Sequence, residues 1–319
     1  MVDKQEELCG GAGAAGVGVG AGAAGVGVGV GAGAGVGVGA GAADNTDAAS
    51  SVSQHYAEVA QSVAATFGAS TPLGAASCCE PAMSAGEAAF LYARDALADL
   101  PECAVAASRG CGDPVAKALL QPGERVLDLG SGGGIDAIIA SRLVGETGHV
   151  YGVDMTPAMI ELARANAAAV GAQNIEFLQG NIEELPLEDA CVNVVLSNCV
   201  INFAQKKQQV MSEAHRVLVP GGRFVVSDIV RYGPLPHEKY AEPLGRITGC
   251  TNGIELAETY KQHLLDAGFT QVELEPKTTY TLEVLREKAQ RKDRMEFFEA
   301  LENNPALDSL CGSVIITAR

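Results

Sequence analysis

The amino-acid sequence predicts an α/β protein in which a parallel sheet carries helices on both faces. From Arg125 onward, short apolar segments of strand length alternate with longer segments of helical periodicity. A glycine-rich loop follows the first apolar segment, and the turn Pro220-Gly221-Gly222 precedes the fifth. Because strands that alternate with helices in this way are covered on both faces, the pattern indicates a sheet between two helical layers.

The predicted elements follow one another in a regular order from Arg125 to the end of the chain. Five strands are expected at Arg125–Leu129, His149–Asp154, Ile175–Gln179, Val192–Asn198 and Arg223–Asp228, with helices between them at stretches such as Ala158–Val170 and Lys207–Leu218. The prediction is completed by a helix near Glu255–Ala267, a strand near Thr270–Leu274, an amphipathic helix over Leu282–Leu301 and a final strand at Ser313–Thr317.

The first part of the chain has a different composition. Gly10–Ala43 consists only of Gly, Ala and Val, and we expect disorder because ordering so much glycine is entropically expensive and buries little side chain. A membrane span is not expected there, since the tract contains no Leu, Ile or Phe. Helices are predicted after it at Asn45–Phe67 and Ser84–Leu97. We expect three parts: a disordered arm over residues 1–44, N-terminal helices with a nucleotide-binding core over 45–230, and a C-terminal segment with the last strands over 231–319.

The charge and cysteine content limit the functions that the chain can have. The 319 residues carry a net charge of −17, from 39 acidic and 22 basic side chains. Such a surface repels phosphate backbones and anionic lipids, so we expect neither a nucleic-acid partner nor a membrane partner. Met1–Leu8 is acidic, unlike a secretory or organellar presequence, which predicts a cytoplasmic protein. The nine cysteines are then expected to be reduced, and reactive or ligand roles outrank a disulfide scaffold.

The loop after the first strand has the features of a nucleotide-binding site. Glycines allow a sharp turn that brings backbone N–H groups close to a ligand. Asp154 closes the second strand, where a carboxylate can accept hydrogen bonds from both hydroxyls of a ribose. An ordinary tight turn between strand and helix is the alternative interpretation. The loop is made by Asp128, which ends the first strand, and by Gly130, Gly132 and Gly134.

This arrangement resembles S-adenosylmethionine-dependent methyltransferases of class I. A dinucleotide-binding fingerprint would place glycine where the chain has Ile135. The turn Leu218-Val219-Pro220-Gly221-Gly222 agrees with the methyltransferase pattern as well. The resemblance implies a Rossmann-like sheet of the class I methyltransferase type, with S-adenosyl-L-methionine as the cofactor.

Residues after the second, third and fourth strands complete the predicted cofactor site. Asn181, Ile182 and Glu183 follow the third strand, at the edge where an adenine would lie, and helix capping or solvation is their alternative role. Met155 either covers the adenine or fills the core. The predicted cofactor-binding residues are Asp128, Gly130, Gly132, Gly134, Asp154, Met155, Asn181, Ile182, Glu183 and Asn198.

Three cysteines stand out by their surroundings. Cys199 directly follows the fourth strand, where ligands bind in open α/β sheets. Cys111 and Cys250 each lie in a glycine-flanked loop, which is a poor position for core packing. A single free cysteine is more often a small buried hydrophobe, and we keep that interpretation for Cys9, Cys103, Cys191 and Cys311.

The segments around these cysteines resemble those of arsenite methyltransferases, over about Ser53 to Arg319. Two positions depart from the family pattern: Arg109 replaces an aromatic residue, and Ile254 replaces an alanine. The resemblance implies that Cys111, Cys199 and Cys250 bind arsenic, and that Cys78 and Cys79 match a further catalytic cysteine or pair. The matching segments are Gly110-Cys111-Gly112-Asp113-Pro114, Val153-Asp154-Met155-Thr156-Pro157-Ala158-Met159, Ser197-Asn198-Cys199-Val200-Ile201-Asn202 and Gly249-Cys250-Thr251-Asn252-Gly253.

The chemistry of arsenic agrees with this resemblance. Trivalent arsenic is soft and forms stable pyramidal thiolates, so cysteine is the expected ligand. Three thiolates leave a lone pair that points away from the sulfurs and can attack the sulfonium methyl in line. No general base is needed once the thiols have lost their protons.

The adjacent pair Cys78 and Cys79 suggests a redox role. Their Cα atoms lie about 3.8 Å apart, below the usual range for a disulfide, so a bond between them would be strained. The family resemblance implies that one of them forms a transient disulfide with a thiol such as Cys111 during reduction of the pentavalent product. Thioredoxin or glutathione would then restore the thiols.

We therefore predict an enzyme that methylates arsenite, or its thiol conjugates, in arsenic detoxification. One alternative is a class I methyltransferase that acts on carbon or oxygen of a small metabolite such as a quinone or sterol. Another is a protein without enzymatic activity, either a thiol module that sequesters arsenic or a structural protein in which the glycine-rich arm is the functional part. The number of methyl groups added, activity on antimony, the oligomeric state and the role of the glycine-rich arm stay open.

Overall fold

We obtained a computed structural model of the chain, which describes residues 46–67, 91–97, 99–250, 253–291 and 294–319. The glycine-rich arm, Cys9 and the pair Cys78 and Cys79 lie outside the described residues, as does the first half of the predicted helix Ser84–Leu97. The predicted division at residues 44 and 230 stays a prediction.

The predicted α/β class is confirmed, and the centre of the fold is a seven-stranded sheet with the order β3-β2-β1-β4-β5-β7-β6. β1 to β5 run parallel. β7 pairs with β5 and with β6 in the antiparallel direction, which the sequence pattern did not indicate. The strands are β1 (Arg125–Leu129), β2 (His149–Asp154), β3 (Ile175–Gln179), β4 (Val192–Asn198), β5 (Leu218–Arg231), β6 (Val272–Tyr280) and β7 (Cys311–Ala318).

The first four strands have the predicted bounds, whereas β5 begins earlier than predicted. Leu218 pairs with Val192 and Arg223 pairs with Val194, with a register shift between them. The Pro220-Gly221-Gly222 turn therefore lies inside the strand as an irregularity and does not precede it.

Helices cover the sheet and its carboxyl end. The predicted single helix Leu282–Leu301 is two helices, because Arg294 leaves helical backbone angles (φ −114°, ψ 28°). The helices are α1 (Thr46–Phe67), α2 (Arg94–Leu97), α3 (Glu102–Ala107), α4 (Pro114–Ala118), α5 (Ile135–Val144), α6 (Pro157–Ala169), α7 (Lys207–Val217), α8 (Ala241–Thr248), α9 (Ala257–Asp266), α10 (Leu282–Arg291) and α11 (Met295–Glu299).

The core has two layers, one on each face of the sheet. Val126 and Leu127 are adjacent on β1 and fully buried, but they belong to different apolar clusters because successive side chains of a strand point to opposite faces. Val126 packs in the cluster with Ile138 of α5, and Leu127 in the cluster with Met211 of α7 and Tyr260 of α9. Both faces are thus covered, as predicted. Among the helices of the described residues, we find none that is long and apolar enough to cross a membrane.

Two smaller clusters lie beyond the main core and position the candidate site. Ala60 and Val63 of α1 pack against Met159 and Leu162 of α6, so α1 is held beside the end of β2. Segments from β4, β5 and the C-terminal part of the chain form the other cluster, which contains Cys199, Cys250 and Cys311, with Cys111 packed against it.

Candidate cofactor and thiol site

A cavity of about 550 Å³ lies at the carboxyl ends of β1, β2, β3 and β4. This volume is in the range of sites for ligands of cofactor size. The cavity is lined by nine of the ten predicted cofactor residues: Asp128, Gly130, Gly132, Asp154, Met155, Asn181, Ile182, Glu183 and Asn198. The tenth, Gly134, begins α5 with a φ of 88° and sits against Phe177 and Ala163.

The glycine loop connects the cavity to the strand that carries Cys199. Gly130 has a φ of 66°, and a Cβ atom there would lie 2.5 Å from the side chain of Val200. Its N–H donates to the carbonyl of Val153 on β2 over 2.7 Å. Gly132 has a φ of 51° and open space where a side chain would point, so its backbone is accessible from the cavity. The loop therefore needs glycine for conformation at both positions and for close approach at Gly130.

Asp154 holds this loop at the end of β2. Its Oδ2 accepts a hydrogen bond from the N–H of Gly132 over 3.0 Å, and its Oδ1 accepts one from the N–H of Thr156 over 2.8 Å. Burial raises the pKa of Asp154, while the two backbone donors lower it. The carboxylate is thus oriented by backbone groups at the rim of the cavity, where a ribose could donate to it.

Two more acidic side chains, Asp128 and Asp136, lie at the cavity with incomplete hydrogen bonding. Within the described part of the chain, Asp128 Oδ2, Asp136 Oδ1 and Ser131 Oγ are buried without a partner. Burial raises the pKa of Asp128 well above its usual range, and Asp136 beside it adds to this effect. Burial also raises the pKa of Asp136 to about 7. Buried polar atoms without partners are costly, so they indicate a site built for a ligand that donates hydrogen bonds or carries positive charge.

The sequence left two roles open for Asn181, Ile182 and Glu183, which follow β3: contact with an adenine, or helix capping and solvation. Glu183 Oε1 accepts hydrogen bonds from the N–H groups of Gln205 and Lys206, just before α7, which fits a structural role near the helix start. Asn181 Oδ1 accepts from the N–H of Glu183 over 3.0 Å. Met155 is 38% exposed, so it does not fill the core.

Helix α1 adds a wall that sequence reasoning missed. Tyr56 lines the cavity, and its ring meets Phe203 edge to face with 6.0 Å between centroids. Burial raises the pKa of Tyr56 to about 12. Ser53 and Thr156 share a hydrogen bond of 3.4 Å between their hydroxyls, which ties α1 to the segment after β2. The signal available in the sequence was only helical spacing, which does not separate a cavity wall from a core face.

Cys199 also lines this cavity. It has a φ of 59°, a left-handed conformation that is uncommon for a residue with a side chain and often found at functional sites. Its N–H donates to the carbonyl of Ser227 on β5 over 2.8 Å. The end of β4 therefore turns sharply and directs the chain away from the sheet at this cysteine.

Cys111 is joined to Cys199 by a disulfide, with 6.0 Å between the Cα atoms. The sequence predicted reduced thiols and a transient partner for Cys111 at Cys78 or Cys79, so this pairing was not predicted. The Cα separation is within the usual range for a disulfide, and the fold alone brings the two segments to that range. Ser227 Oγ lies 3.4 Å from Cys111 Sγ.

Cys250 is a buried free thiol in the same cluster as Cys199. Burial raises its pKa to about 12, and the carboxyl of Asp228 adds to this effect. Among the described residues, we find no group of three or more His, Cys, Asp or Glu side chains arranged to hold a metal ion. The fold thus gathers the three predicted cysteines in one region, two of them already bonded to each other.

Comparison with known proteins identifies the family. A family model described as a methyltransferase domain matches residues 120–289, more than half of the chain. The chain is also similar to the crystal structure of an arsenic(III) S-adenosylmethionine methyltransferase from Chlamydomonas reinhardtii, with 35% sequence identity. That match covers 70% of this chain and 71% of the algal chain, with a TM-score of 0.54. The chain belongs to the arsenite methyltransferase family.

Curated arsenite methyltransferases agree with this assignment. The relative from Halobacterium salinarum is 49% identical over 172 residues, which cover 54% of this chain and 44% of the relative. The human relative is 38% identical over 156 residues, which cover 46% of this chain and 41% of the relative. The chain matches less than half the length of these curated relatives.

For this arsenite methyltransferase family member, sequence reasoning also missed three residues beside the cysteines. Asp136 lies two residues after Gly134, and the sequence alone assigned it no role. Asn202 closes the segment that carries Cys199, in which only Asn198 and Cys199 were assigned a role. Ser227 lies inside a predicted buried strand, where no sequence signal marks a side chain next to Cys111.

Proposed function

We propose that this protein methylates trivalent arsenic with S-adenosyl-L-methionine as the methyl donor. The observation that carries the proposal is the meeting of two features: a cavity lined with carboxylates, and Cys199 in its wall, bonded to Cys111 and clustered with Cys250. A small-metabolite methyltransferase would need the first feature but not the second.

The residues of the cavity fit this cofactor. Asp154 would accept hydrogen bonds from the ribose hydroxyls, and Met155 and Ile182 would flank the adenine. Asp128 and Asp136 would accept hydrogen bonds from the positively charged amino group, which uses buried oxygens that have no partner within the described part of the chain. When bound, the cofactor supplies an electrophilic methyl group on a sulfonium sulfur.

Arsenite, or a thiol conjugate of it, would be held as substrate by Cys111, Cys199 and Cys250. Each thiol that displaces an oxygen of arsenous acid forms one As–S bond and releases one water, so the thiol proton leaves with the oxygen. This balance explains why Cys250 can take part although burial raises its pKa to about 12. No side chain has to act as a general base.

The disulfide between Cys111 and Cys199 must be opened before arsenic can bind to both sulfurs. Its reduction takes two electrons and two protons, for which we propose a thioredoxin-type protein or glutathione. The participation of Cys78 and Cys79 in reducing a pentavalent product is a prediction from the family resemblance. Free-thiol counts before and after one turnover would oppose it if no thiols were lost.

The test is transfer of labelled methyl from S-adenosyl-L-methionine to arsenite by the reduced protein. We expect methylated arsenic to form and its yield to depend on the thiol reductant. A quinone acceptor assayed in parallel represents the small-metabolite alternative. Tight cofactor binding without any arsenic product would contradict the proposal, and label in the quinone would support the alternative.

Cofactor affinity is expected to rise with pH because of Asp136. Burial raises the pKa of Asp136 to about 7, with Asp113 adding to the shift and with Asn198 and Tyr92 donating hydrogen bonds that oppose it. A cationic ligand favours the ionised carboxyl, so binding must release a proton below pH 7. We expect affinity to increase about tenfold from pH 6 to pH 8 and then level off.

Calorimetric titration in buffers of different ionisation enthalpy measures the released proton. Asp136→Asn should flatten the pH dependence that wild type shows, since the amide does not titrate. An equally steep profile in Asp136→Asn would assign the dependence to another group.

A further inference from the structure

Asn198 joins the loop of Cys111 to the strand that ends at Cys199. Its Oδ1 accepts a hydrogen bond from the N–H of Cys111 over 2.9 Å, and its Nδ2 donates to the carbonyl of Gly112 over 2.9 Å. A Cβ atom at Gly110 would lie 2.5 Å from Nδ2, so the loop approaches the amide as closely as glycine allows. The side chain of Asn198 thus holds two successive residues of this loop, Cys111 and Gly112.

The remaining contacts of Asn198 fix its orientation. Nδ2 lies 3.1 Å from Asp136 Oδ2 and 3.1 Å from the hydroxyl of Tyr92. The amide is therefore engaged on both ends inside the protein. A side chain held in this way fixes the position of the Cys111 loop. Rotating it would break the hydrogen bonds at its oxygen and at its nitrogen together.

Asn202 makes the corresponding contacts to the segment of Cys250. Its Nδ2 donates to Asp228 Oδ1 over 2.8 Å and to the carbonyl of Ile229 over 2.7 Å, and it lies 3.9 Å from Cys250 Sγ. Its Oδ1 accepts from the N–H of Glu255 over 3.3 Å. The side chain is fully buried. It thus connects the end of β5, the Cys250 sulfur and the chain that follows.

From these two sets of contacts we propose that Asn198 and Asn202 are positioning residues for the three arsenic-binding thiols. Cys199 lies between them in sequence, in a left-handed conformation. Asn198 holds Cys111 on one side of it, and Asn202 holds Cys250 on the other. A five-residue segment then sets the geometry of a site whose ligands come from three distant parts of the chain.

The contacts predict pair-specific effects. Loss of the Asn198 amide leaves the N–H of Cys111 and the carbonyl of Gly112 without their partner, so the Cys111–Cys199 distance should become variable while Cys250 stays in place. Loss of the Asn202 amide should release Cys250 and leave the Cys111–Cys199 pair unchanged. A general loss of stability would affect both pairs alike.

The test measures thiol proximity in the full-length, reduced protein with dibromobimane, which links two nearby thiols as each sulfur displaces one bromide. Peptide mapping by mass spectrometry reports the Cys111–Cys199 and Cys199–Cys250 links separately. We expect Asn198→Ala to lower the first link about tenfold and Asn202→Ala to lower the second about tenfold, the effect of losing about one net hydrogen bond or slightly more. Because both links use the sulfur of Cys199, each variant should leave the other link at or above its wild-type yield.

Asn174→Ala is the matched control. Its amide also bridges two carbonyls, those of Ser141 and Gly145, but at the other end of α5 from the cavity. Both links should keep their wild-type yield in this variant. Folding is checked by circular dichroism, and Asn198→Ser and Asn202→Ser replace any alanine variant that does not fold. Wild-type link yields in the folded Asn198 and Asn202 variants, or equal loss of both links in each, would overturn the proposal.

This inference rests on the proposed function, because it takes the three thiols to be arsenic ligands. The linking assay itself contains no arsenic. In the methylation assay, we expect Asn202→Ala to raise the KM for arsenite more than it lowers kcat, with cofactor affinity unchanged. An inactive wild type with normal, pair-specific linking would refute the proposed function and keep the positioning role. An active wild type whose variants link normally would keep the proposed function and refute the positioning role.

Discussion

Cys199→Ser is expected to lower kcat/KM for arsenite methylation more than about 100-fold, since even residues that only orient a metal ligand are worth up to that factor. Serine offers a hard oxygen in place of a soft sulfur, and trivalent arsenic strongly prefers the sulfur. The change also removes the disulfide to Cys111. Methylated products from labelled S-adenosyl-L-methionine give the rates, and calorimetry gives cofactor affinity, which should be unchanged.

Cys191→Ala is the matched control for this experiment. Cys191 is also buried, but it lies in the main core, beside the start of β4 and far along the strand from Cys199. Its loss should affect the free energy of unfolding more than arsenite methylation. Wild-type activity in Cys199→Ser would remove this cysteine from the arsenic site and leave it a thiol at a strand end.

Asp154→Ala is expected to weaken cofactor binding about 100-fold or more. The carboxylate can accept two hydrogen bonds from a ribose, and hydrogen bonds to charged groups contribute about 1.5–3 kcal/mol each. The substitution also removes the acceptor that holds the N–H of Gly132, so the loop loses its support at the same time. Calorimetric titration with S-adenosyl-L-methionine measures the change.

Asp189→Ala controls for the loss of a carboxylate as such. Asp189 pairs with Arg216 at the surface, and its side chain is 78% exposed. Its removal should leave cofactor affinity within about twofold, because exposed ion pairs contribute little. An affinity within about threefold of wild type in Asp154→Ala would show that the ribose is bound elsewhere.

The sequence predicted the parallel part of the sheet well because strand and helix periodicities differ strongly there. β1 to β4 have the predicted bounds, and the residues after them line the cavity. Gly134 lies against Phe177 and is absent from the cavity lining, a difference from Gly130 and Gly132 that the loop spacing does not reveal. Its assignment to the cofactor stays a prediction.

Prediction was weaker where a contact joins distant segments. The antiparallel direction of β7 follows from its pairing with both β5 and β6, which no local pattern encodes. Tyr56 reaches the cavity only because α1 packs on α6.

What the sequence determined by itself is the chemistry available: a glycine loop with acidic residues at two strand ends, and cysteines in glycine-flanked loops. Residue types and their spacing within a few positions are local properties, so they can be read without coordinates. The tertiary structure decided which of these groups meet. It joined Cys111 to Cys199, placed Cys250 in their cluster, and left oxygens of Asp128 and Asp136 buried without partners among the described residues. Such meetings depend on the packing of segments that are far apart in the chain, and that packing is a property of the whole fold.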